Sequence, residues 1–195
     1  MSAFPLTAIT AWESYFDRMK IDRNGAHRGA TLLIIGGAGG VGSIGIQIAK
    51  VVAGLKVIAT ASRPETVAWV KELGADHVVD HSQPLRPQIE ALGLKFVDYI
   101  ANFADTDGYW MAMADLIRPQ GSIALIVGNR APLDQDAVRT KSATVCWELM
   151  FTRPRFGTPD MIEQHRLLHR VAAWIDAGKI KGTLRERLGS INAAN

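Results

Sequence analysis

Short runs of apolar residues alternate with amphipathic stretches along most of this 195-residue chain. The apolar runs lack a regular apolar–polar alternation, which predicts β-strands buried on both faces of a sheet. Predicted strands cover residues 31–36, 56–61, 77–80, 96–101, 122–127 and 143–151. Predicted helices lie between and after them, at residues 41–53, 64–73, 85–92, 108–117 and 158–177.

The alternation of strands and helices predicts an α/β fold with one parallel sheet and helices on both of its faces. Six strands match the doubly wound dinucleotide-binding arrangement, the Rossmann fold, in the strand order 3-2-1-4-5-6. Both ends of the chain fall outside this unit. Residues 7–20 form a predicted amphipathic helix, and we expect the ends to connect to other parts of a longer protein. The apolar stripe of that helix consists of Ile9, Trp12, Phe16 and Met19.

The last predicted helix has recognisable end signals. Thr158 is a candidate cap, Pro159 suits the first turn and Gly178 can end the helix. Its predicted apolar face consists of Met161, His165, Leu168, Ala172 and Ile175.

Composition narrows the classes of partner. The 22 Lys and Arg against 19 Asp and Glu give a net charge of +3, and these charges are scattered. Without a basic cluster, we expect no nucleic-acid partner. No apolar run reaches the roughly 18 residues of a membrane span, and the N-terminus lacks a signal-peptide pattern. We therefore expect no association with a membrane. The single cysteine, Cys146, excludes an internal disulfide and fits a cytoplasmic location.

The strongest signal is the glycine-rich segment after the first predicted strand. It reads Gly37-Ala38-Gly39-Gly40-Val41-Gly42 and matches G-x-G-x-x-G between a strand and a helix. We expect Gly37 to permit the tight turn, Gly39 to admit a pyrophosphate and Gly42 to allow close helix–strand packing. The N-terminus of the helix would offer N–H groups and partial positive charge to the phosphates. The alternative is a glycine-rich turn without a ligand.

The residues after the second predicted strand bear on the choice between NADH and NADPH. NAD-binding versions of the motif place an acid about 20 residues further on, where it binds the ribose 2′-hydroxyl. The corresponding residues here are Ser62 and Arg63, and the first acid is Glu65. A hydroxyl and a guanidinium suit a 2′-phosphate, which a carboxylate would repel. The sequence therefore predicts NADPH, the alternative being that Arg63 is a solvated surface residue.

Several segments resemble the cofactor-binding half of a medium-chain dehydrogenase/reductase. They are PLTAITAWESYFDRM, IGGAGGVGSIGIQIAK, KELGADHVVDH, RPQGSIALIVG and CWELMFTRP. The resemblance is strongest to the quinone oxidoreductase-like branch, whose members are often labelled zinc-type alcohol dehydrogenases. It implies that a GroES-like catalytic domain precedes this part and that a C-terminal segment returns to it.

On this view, residues 1–23 form a helix leading in from the catalytic domain, residues 24–178 form the NAD(P)-binding domain, and residues 179–195 start the returning segment. The resemblance also implies an active site in the cleft between the two domains. We therefore expect the acid/base group to lie outside this chain, and we assign no catalytic residue.

Zinc-dependent members of the superfamily take one Cys ligand from just before the leading helix. Residues 1–6 contain no Cys or His, and Cys146 lies on the sixth predicted strand. The sequence thus resembles the zinc-independent branch, and we expect no metal site in this portion. The resemblance further implies that His81, after the third predicted strand, lies beside the adenosine end of the cofactor.

The nicotinamide end is expected at the carboxyl ends of the later strands. The loops there carry Asn102 and Phe103 after the fourth strand, Val127 and Gly128 after the fifth, and Phe151 after the sixth. We expect backbone groups near Val127 and Gly128 to bind the carboxamide.

These features favour an NADPH-dependent oxidoreductase of the quinone or enone reductase type, represented by its dinucleotide-binding domain. An NAD-dependent zinc alcohol dehydrogenase and a non-catalytic dinucleotide-binding or sensing module are the alternatives. The sixth predicted strand is long and apolar, and an open edge of that kind invites pairing with another chain. Together with the resemblance, it predicts a homodimer through residues 143–151.

Overall fold

One six-stranded sheet forms the centre of the computed structural model, which describes residues 4–184. Its strands are β1 (Thr31–Ile35), β2 (Lys56–Thr60), β3 (His77–Val79), β4 (Val97–Asn102), β5 (Ile117–Leu125) and β6 (Thr144–Trp147). They lie in the order β3-β2-β1-β4-β5-β6, and every neighbouring pair is parallel. The predicted α/β class, the doubly wound sheet and its strand order are confirmed.

Helices cover both faces of the sheet. Those of the described residues are α1 (Pro5–Trp12), α2 (Gly40–Ile48), α3 (Pro64–Glu72), α4 (Leu85–Ala91), α5 (Thr106–Leu116), α6 (Asp136–Arg139), α7 (Thr152–Phe156) and α8 (Ile162–Asp176). Two of them continue with π-helical hydrogen bonding, α1 over Glu13–Arg18 and α2 over Ala49–Ala53. The short helices α6 and α7 were not predicted from the sequence pattern.

A separate apolar core lies on each face of the sheet. One contains Trp12 of α1, Ile44 of α2 and Val171 of α8, and the other contains Ile89 of α4 and Met113 of α5. The predicted N-terminal helix is present, and it packs directly on α2 and α8. The leading helix therefore belongs to the same packed unit as the glycine-rich loop.

β5 and β6 differ most in length from the prediction. β5 begins at Ile117 rather than at residue 122, and passes through Gln120, which has a φ of +59°. Its pairing with β4 shifts register in this region. β6 ends at Trp147 rather than at residue 151. The Glu148 N–H still donates to the Leu125 carbonyl, and its buried carboxyl group binds Arg18 just beyond the strand.

The last helix begins later than predicted. The Thr158 hydroxyl donates a hydrogen bond to the Asp160 carboxylate instead of capping a helix, so α8 starts at Ile162. The fully buried positions of α8 are Leu167 and Val171. The predicted face was wrong at its N-terminal end, where Met161 and His165 are exposed.

Within residues 4–184, no helix is both long and apolar enough to cross a membrane. Residues 1–3 and 185–195 lie outside the described residues, and they include most of the predicted returning segment. The cytoplasmic location stays a prediction.

Candidate cofactor-binding site

The turn after β1 begins one residue earlier than the glycine pattern predicts. Gly36 has a φ of +81°, in the left-handed region that favours glycine. Gly37 lies outside that region, and a Cβ atom added to it would lie 2.8 Å from the Cβ of Ala59 on β2. Gly36 therefore makes the turn and Gly37 permits close packing on the neighbouring strand. This corrects the role expected of Gly37.

The last glycine of the motif holds α2 against the turn. A Cβ atom on Gly42 would lie 2.3 Å from the carbonyl oxygen of Gly36 and 2.6 Å from that of Gly37. Gly39 precedes α2 in an extended conformation, and both it and Gly40 are exposed, whereas Ala38 and Val41 are half-buried. The first N–H groups of a helix have no carbonyl one turn before them, and the exposure of Gly39 and Gly40 leaves this end of α2 accessible to a ligand. The shape fits the phosphates of a dinucleotide.

Thr60 joins the loop to the end of β2. Its hydroxyl accepts a hydrogen bond of 3.0 Å from the Gly36 N–H, and the side chain is buried. The sequence interpretation missed this residue. The available signal was a hydroxyl at the end of an otherwise apolar strand.

A cavity of about 420 Å³ brings the three predicted adenosine-side residues together. Ser62, Arg63 and His81 line it, along with the glycine loop and Thr66. The Ser62 hydroxyl lies 3.4 Å from Nε2 of His81. Arg63 is largely exposed, and its Nε lies 3.1 Å from the Glu65 carboxylate. The cavity therefore presents a hydroxyl, an imidazole and a guanidinium beside the candidate phosphate loop.

A larger cavity of about 800 Å³ adjoins the same loop, between α2, α3 and residues 181–184. The buried amide of Gln47 holds this last segment in place. The Lys181 N–H donates to Oε1 of Gln47 at 2.6 Å, and Nε2 of Gln47 donates to the Lys181 carbonyl at 3.2 Å. The sequence interpretation missed Gln47, although a polar residue among the isoleucines of α2 was a visible signal.

The residues after β4 are largely occupied with their own loop. The buried Asn102 amide accepts a hydrogen bond from the Ala104 N–H and donates to the Asp105 carbonyl. Phe103 is half-buried, with its ring 6.2 Å from that of Tyr15. The Asn102 side chain thus stabilises the turn, and Phe103 packs against the edge of the core beside Tyr15.

The residues after β5 are open. Val127 is 40% exposed, and a Cβ atom added to Gly128 would meet nothing within 4 Å. Phe151 is 54% exposed and immediately precedes α7, beyond the end of β6. Val127, Gly128 and Phe151 line neither of the two cavities, so they lie apart from the cavity formed by Ser62, Arg63 and His81.

The described residues offer no donor set for a metal. In the part of the chain from residue 4 to 184, no group of three or more His, Cys, Asp or Glu side chains is arranged to hold an ion.

The sequence model of one family, described as zinc-binding dehydrogenase, matches residues 40–169. A zinc-type alcohol dehydrogenase-like protein of Staphylococcus aureus is 43% identical over 194 residues, which cover 99% of this chain and 58% of that protein. The chain thus spans a little over half the length of this curated relative.

Solved structures agree on the fold. A protein from Rhizobium etli, provisionally assigned as a zinc-dependent alcohol dehydrogenase, is 50% identical and superposes with a TM-score of 0.91 over 98% of this chain and 56% of that chain. The Escherichia coli quinone oxidoreductase complexed with NADPH is 20% identical, with a TM-score of 0.74 over 92% of this chain and 54% of that chain, a likeness of fold alone. The chain belongs to the zinc-binding dehydrogenase family, within the medium-chain dehydrogenase/reductase superfamily.

Proposed function

We propose that this chain is the dinucleotide-binding part of an NADPH-dependent oxidoreductase of the quinone or enone reductase type. The observation that carries the proposal is the tight glycine turn after β1: Gly36 has a positive φ, and a Cβ atom on Gly37 or Gly42 would clash with Ala59 or with the backbone of the turn. Together with the open N-terminus of α2, it suits a pyrophosphate. Family membership supports a nicotinamide dinucleotide as the ligand.

The preference for NADPH rests on the 420 Å³ cavity. Ser62, Arg63 and His81 provide donors for a 2′-phosphate, and the carboxylate nearest to Arg63, that of Glu65, is held in a salt bridge with it. A guanidinium binds a phosphate through charge-assisted hydrogen bonds, each contributing about 1.5–3 kcal/mol. We infer that Arg63 exchanges its exposed contact with Glu65 for the 2′-phosphate when NADPH binds.

The nicotinamide end is proposed to reach the loop after β5. There the backbone at Val127 and Gly128 would bind the carboxamide, while Phe103 and Phe151 would shield the ring from water. Bound NADPH supplies a hydride for an acceptor carbon or a quinone. The role of this chain is to hold the cofactor in one orientation. The acid/base group is assigned to the proposed catalytic domain outside residues 24–178.

A comparison of cofactors tests the proposal. Titration calorimetry on the chain is expected to show NADPH binding at least about tenfold more tightly than NADH, since 1.4 kcal/mol corresponds to tenfold in affinity. Arg63→Ala should remove most of this preference while NADH affinity stays nearly constant. Arg139→Ala is the matched control, because Arg139 is equally exposed and also pairs with a nearby acid, Asp136.

Equal affinities of the unaltered chain for the two cofactors would refute the NADPH assignment. A preference that survives Arg63→Ala would move the 2′-phosphate site towards His81. If neither cofactor binds, the proposed function itself fails.

A further inference from the structure

We infer that Asp107 is a positioning residue that holds the loop after β5 in the shape required by the nicotinamide end of the cofactor. This inference rests on the proposed function, because it concerns the loop to which we assign the carboxamide. Asp107 is not expected to touch the cofactor. It acts through the backbone of residues 127–131.

The first turns of α5 tie this loop at three places. The Asp107 carboxylate accepts hydrogen bonds from the N–H groups of Arg130, at 3.0 Å, and Ala131, at 3.0 Å. The Thr106 hydroxyl donates to the Val127 carbonyl, and the Trp110 indole N–H donates to the Asp134 carbonyl at 2.8 Å. Each contact joins a side chain of α5 to the backbone of a segment that has no regular structure of its own. The conformation of the loop therefore depends on α5.

The loop bound by α5 also has residues open to solvent, Val127 and Gly128. β4 and β5 end in register, with Asn102 beside Leu125, so both following loops emerge at the same carboxyl edge of the sheet. Ligands of doubly wound folds lie across this edge. Val127 and Gly128 are both exposed, and α5 binds the Val127 carbonyl and the N–H groups of Arg130 and Ala131 in the same loop.

Because Asp107 is charged, an electrostatic effect on cofactor binding and a positioning effect on the loop predict opposite results when the charge is removed. Hydrogen bonds from the Arg130 and Ala131 N–H groups hold the pKa of this carboxyl below its usual range, so it is ionised at neutral pH. An anion near a cofactor with several phosphate charges weakens binding through charge alone. Neutralising Asp107 would then strengthen binding if charge were its only effect, and would weaken it if the carboxylate positions the loop.

The test compares NADPH with 2′-phospho-ADP-ribose, which keeps the phosphates but lacks nicotinamide. Both ligands are titrated into the unaltered chain, Asp107→Asn and the matched control Asp105→Asn. Both carboxylates contact the Arg130 guanidinium, Asp105 at 3.0 Å and Asp107 at 3.5 Å, but of the two only Asp107 binds N–H groups of the loop backbone. The enhancement of NADPH fluorescence on binding reports separately on the surroundings of the nicotinamide.

The expected result is selective for the nicotinamide end. Asp107→Asn should raise the Kd of NADPH about tenfold, the scale of one lost charge-assisted hydrogen bond, and remove most of the fluorescence enhancement. The Kd of 2′-phospho-ADP-ribose should stay within about twofold. Asp105→Asn should leave both affinities and the fluorescence nearly unchanged. Circular dichroism confirms that each variant is folded.

Thr106→Val provides an independent variant, since it removes the hydroxyl that binds the Val127 carbonyl and preserves the side-chain shape. It should produce the same selective loss, and it decides the question if Asp107→Asn does not fold. Equal affinity of the unaltered chain for the two ligands, or an NADPH advantage that survives both variants, would overturn the positioning role and leave the cofactor proposal standing. Binding of neither ligand would instead refute the proposed function.

Discussion

The buried carboxylate of Glu13 lies 2.6 Å from Nη1 of Arg153, which joins the π-helical continuation of α1 to α7. Both side chains are almost completely removed from solvent. Arg153 also binds Asp17 at 3.0 Å and Asp160 at 2.9 Å, and Gln164 donates a hydrogen bond of 2.8 Å to Oε1 of Glu13, the same oxygen that contacts Arg153. This cluster fixes the leading helix to the segment that follows the edge strand β6.

Replacing Glu13 by Gln is expected to destabilise the chain by about 3 kcal/mol. Removing one partner of a buried ion pair leaves the other charge without full compensation, which costs roughly 3–5 kcal/mol. The lower end applies because Asp17 and Asp160 still contact Arg153. Urea unfolding measures the change.

The exposed pair of Glu163 and Arg166 is the control. Glu163→Gln should change the free energy of unfolding by less than about 1 kcal/mol, as surface ion pairs do. A similar loss in the two variants would contradict the importance of burial at Glu13.

Stability is expected to fall as pH rises towards about 8. Burial, followed by the neighbouring Glu13 carboxylate, raises the pKa of Glu148 to about 8 from an ordinary value of 4.5, against the opposing effect of Arg18. The folded chain therefore binds a proton that the unfolded chain releases above pH 4.5. The stabilisation due to this proton is fully present below about pH 4.5 and is lost as pH rises through about 8.

Glu148→Gln should make the free energy of unfolding less dependent on pH across this window. Gln cannot ionise, yet it can still accept a hydrogen bond from Arg18. Urea unfolding of the two chains at a series of pH values gives the comparison. Parallel pH profiles would show that Glu148 does not titrate in this range.

Gly42→Ala is expected to disrupt the phosphate loop. The added methyl group would lie 2.3 Å from the Gly36 carbonyl oxygen, a backbone atom that cannot yield without moving the turn. Overpacking of this kind costs about 1–3 kcal/mol, and NADPH binding in calorimetry should weaken because the turn shifts. Gly182→Ala is the control, since its methyl group would meet Phe4 at an ordinary 3.6 Å. Unchanged NADPH affinity in Gly42→Ala would show that the loop tolerates the shift.

A homodimer through the open edge of β6 is expected at micromolar concentration. The structural strand is shorter than the predicted 143–151 segment, so the pairing is proposed for Thr144–Trp147. Trp147→Lys, which places a charge on this edge, should yield a monomer in light scattering. Phe156→Lys changes an even more exposed aromatic residue on α7 and should leave the dimer intact. A monomeric unaltered chain at high micromolar concentration would refute the dimer.

The sequence by itself determined the fold class, the strand order and the place of the glycine loop. The fold class and the place of the glycine loop follow from local patterns: apolar runs long enough for buried strands, amphipathic stretches between them, and glycines at a fixed spacing after the first strand. The strand order follows from the match of this alternation to the doubly wound arrangement. The stripe of Ile9, Trp12, Phe16 and Met19 likewise predicted a helix with a buried face. The last three side chains are buried and Ile9 is half-buried. Such features depend on residues close together in the chain.

Tertiary structure decided what depends on partners far apart in sequence. Glu148, just after β6, binds Arg18, and Arg153 joins acids on the continuation of α1 to Asp160 before α8. The end of β6 and the start of α8 therefore do not follow from local pattern. The separate roles of Gly36 and Gly37 depend on how closely β2 approaches, and the role of Asp107 depends on where the loop after β5 returns. Hydrogen bonds and close packing act over a few ångströms in space, whatever the distance along the chain, and therefore only the folded arrangement reveals them.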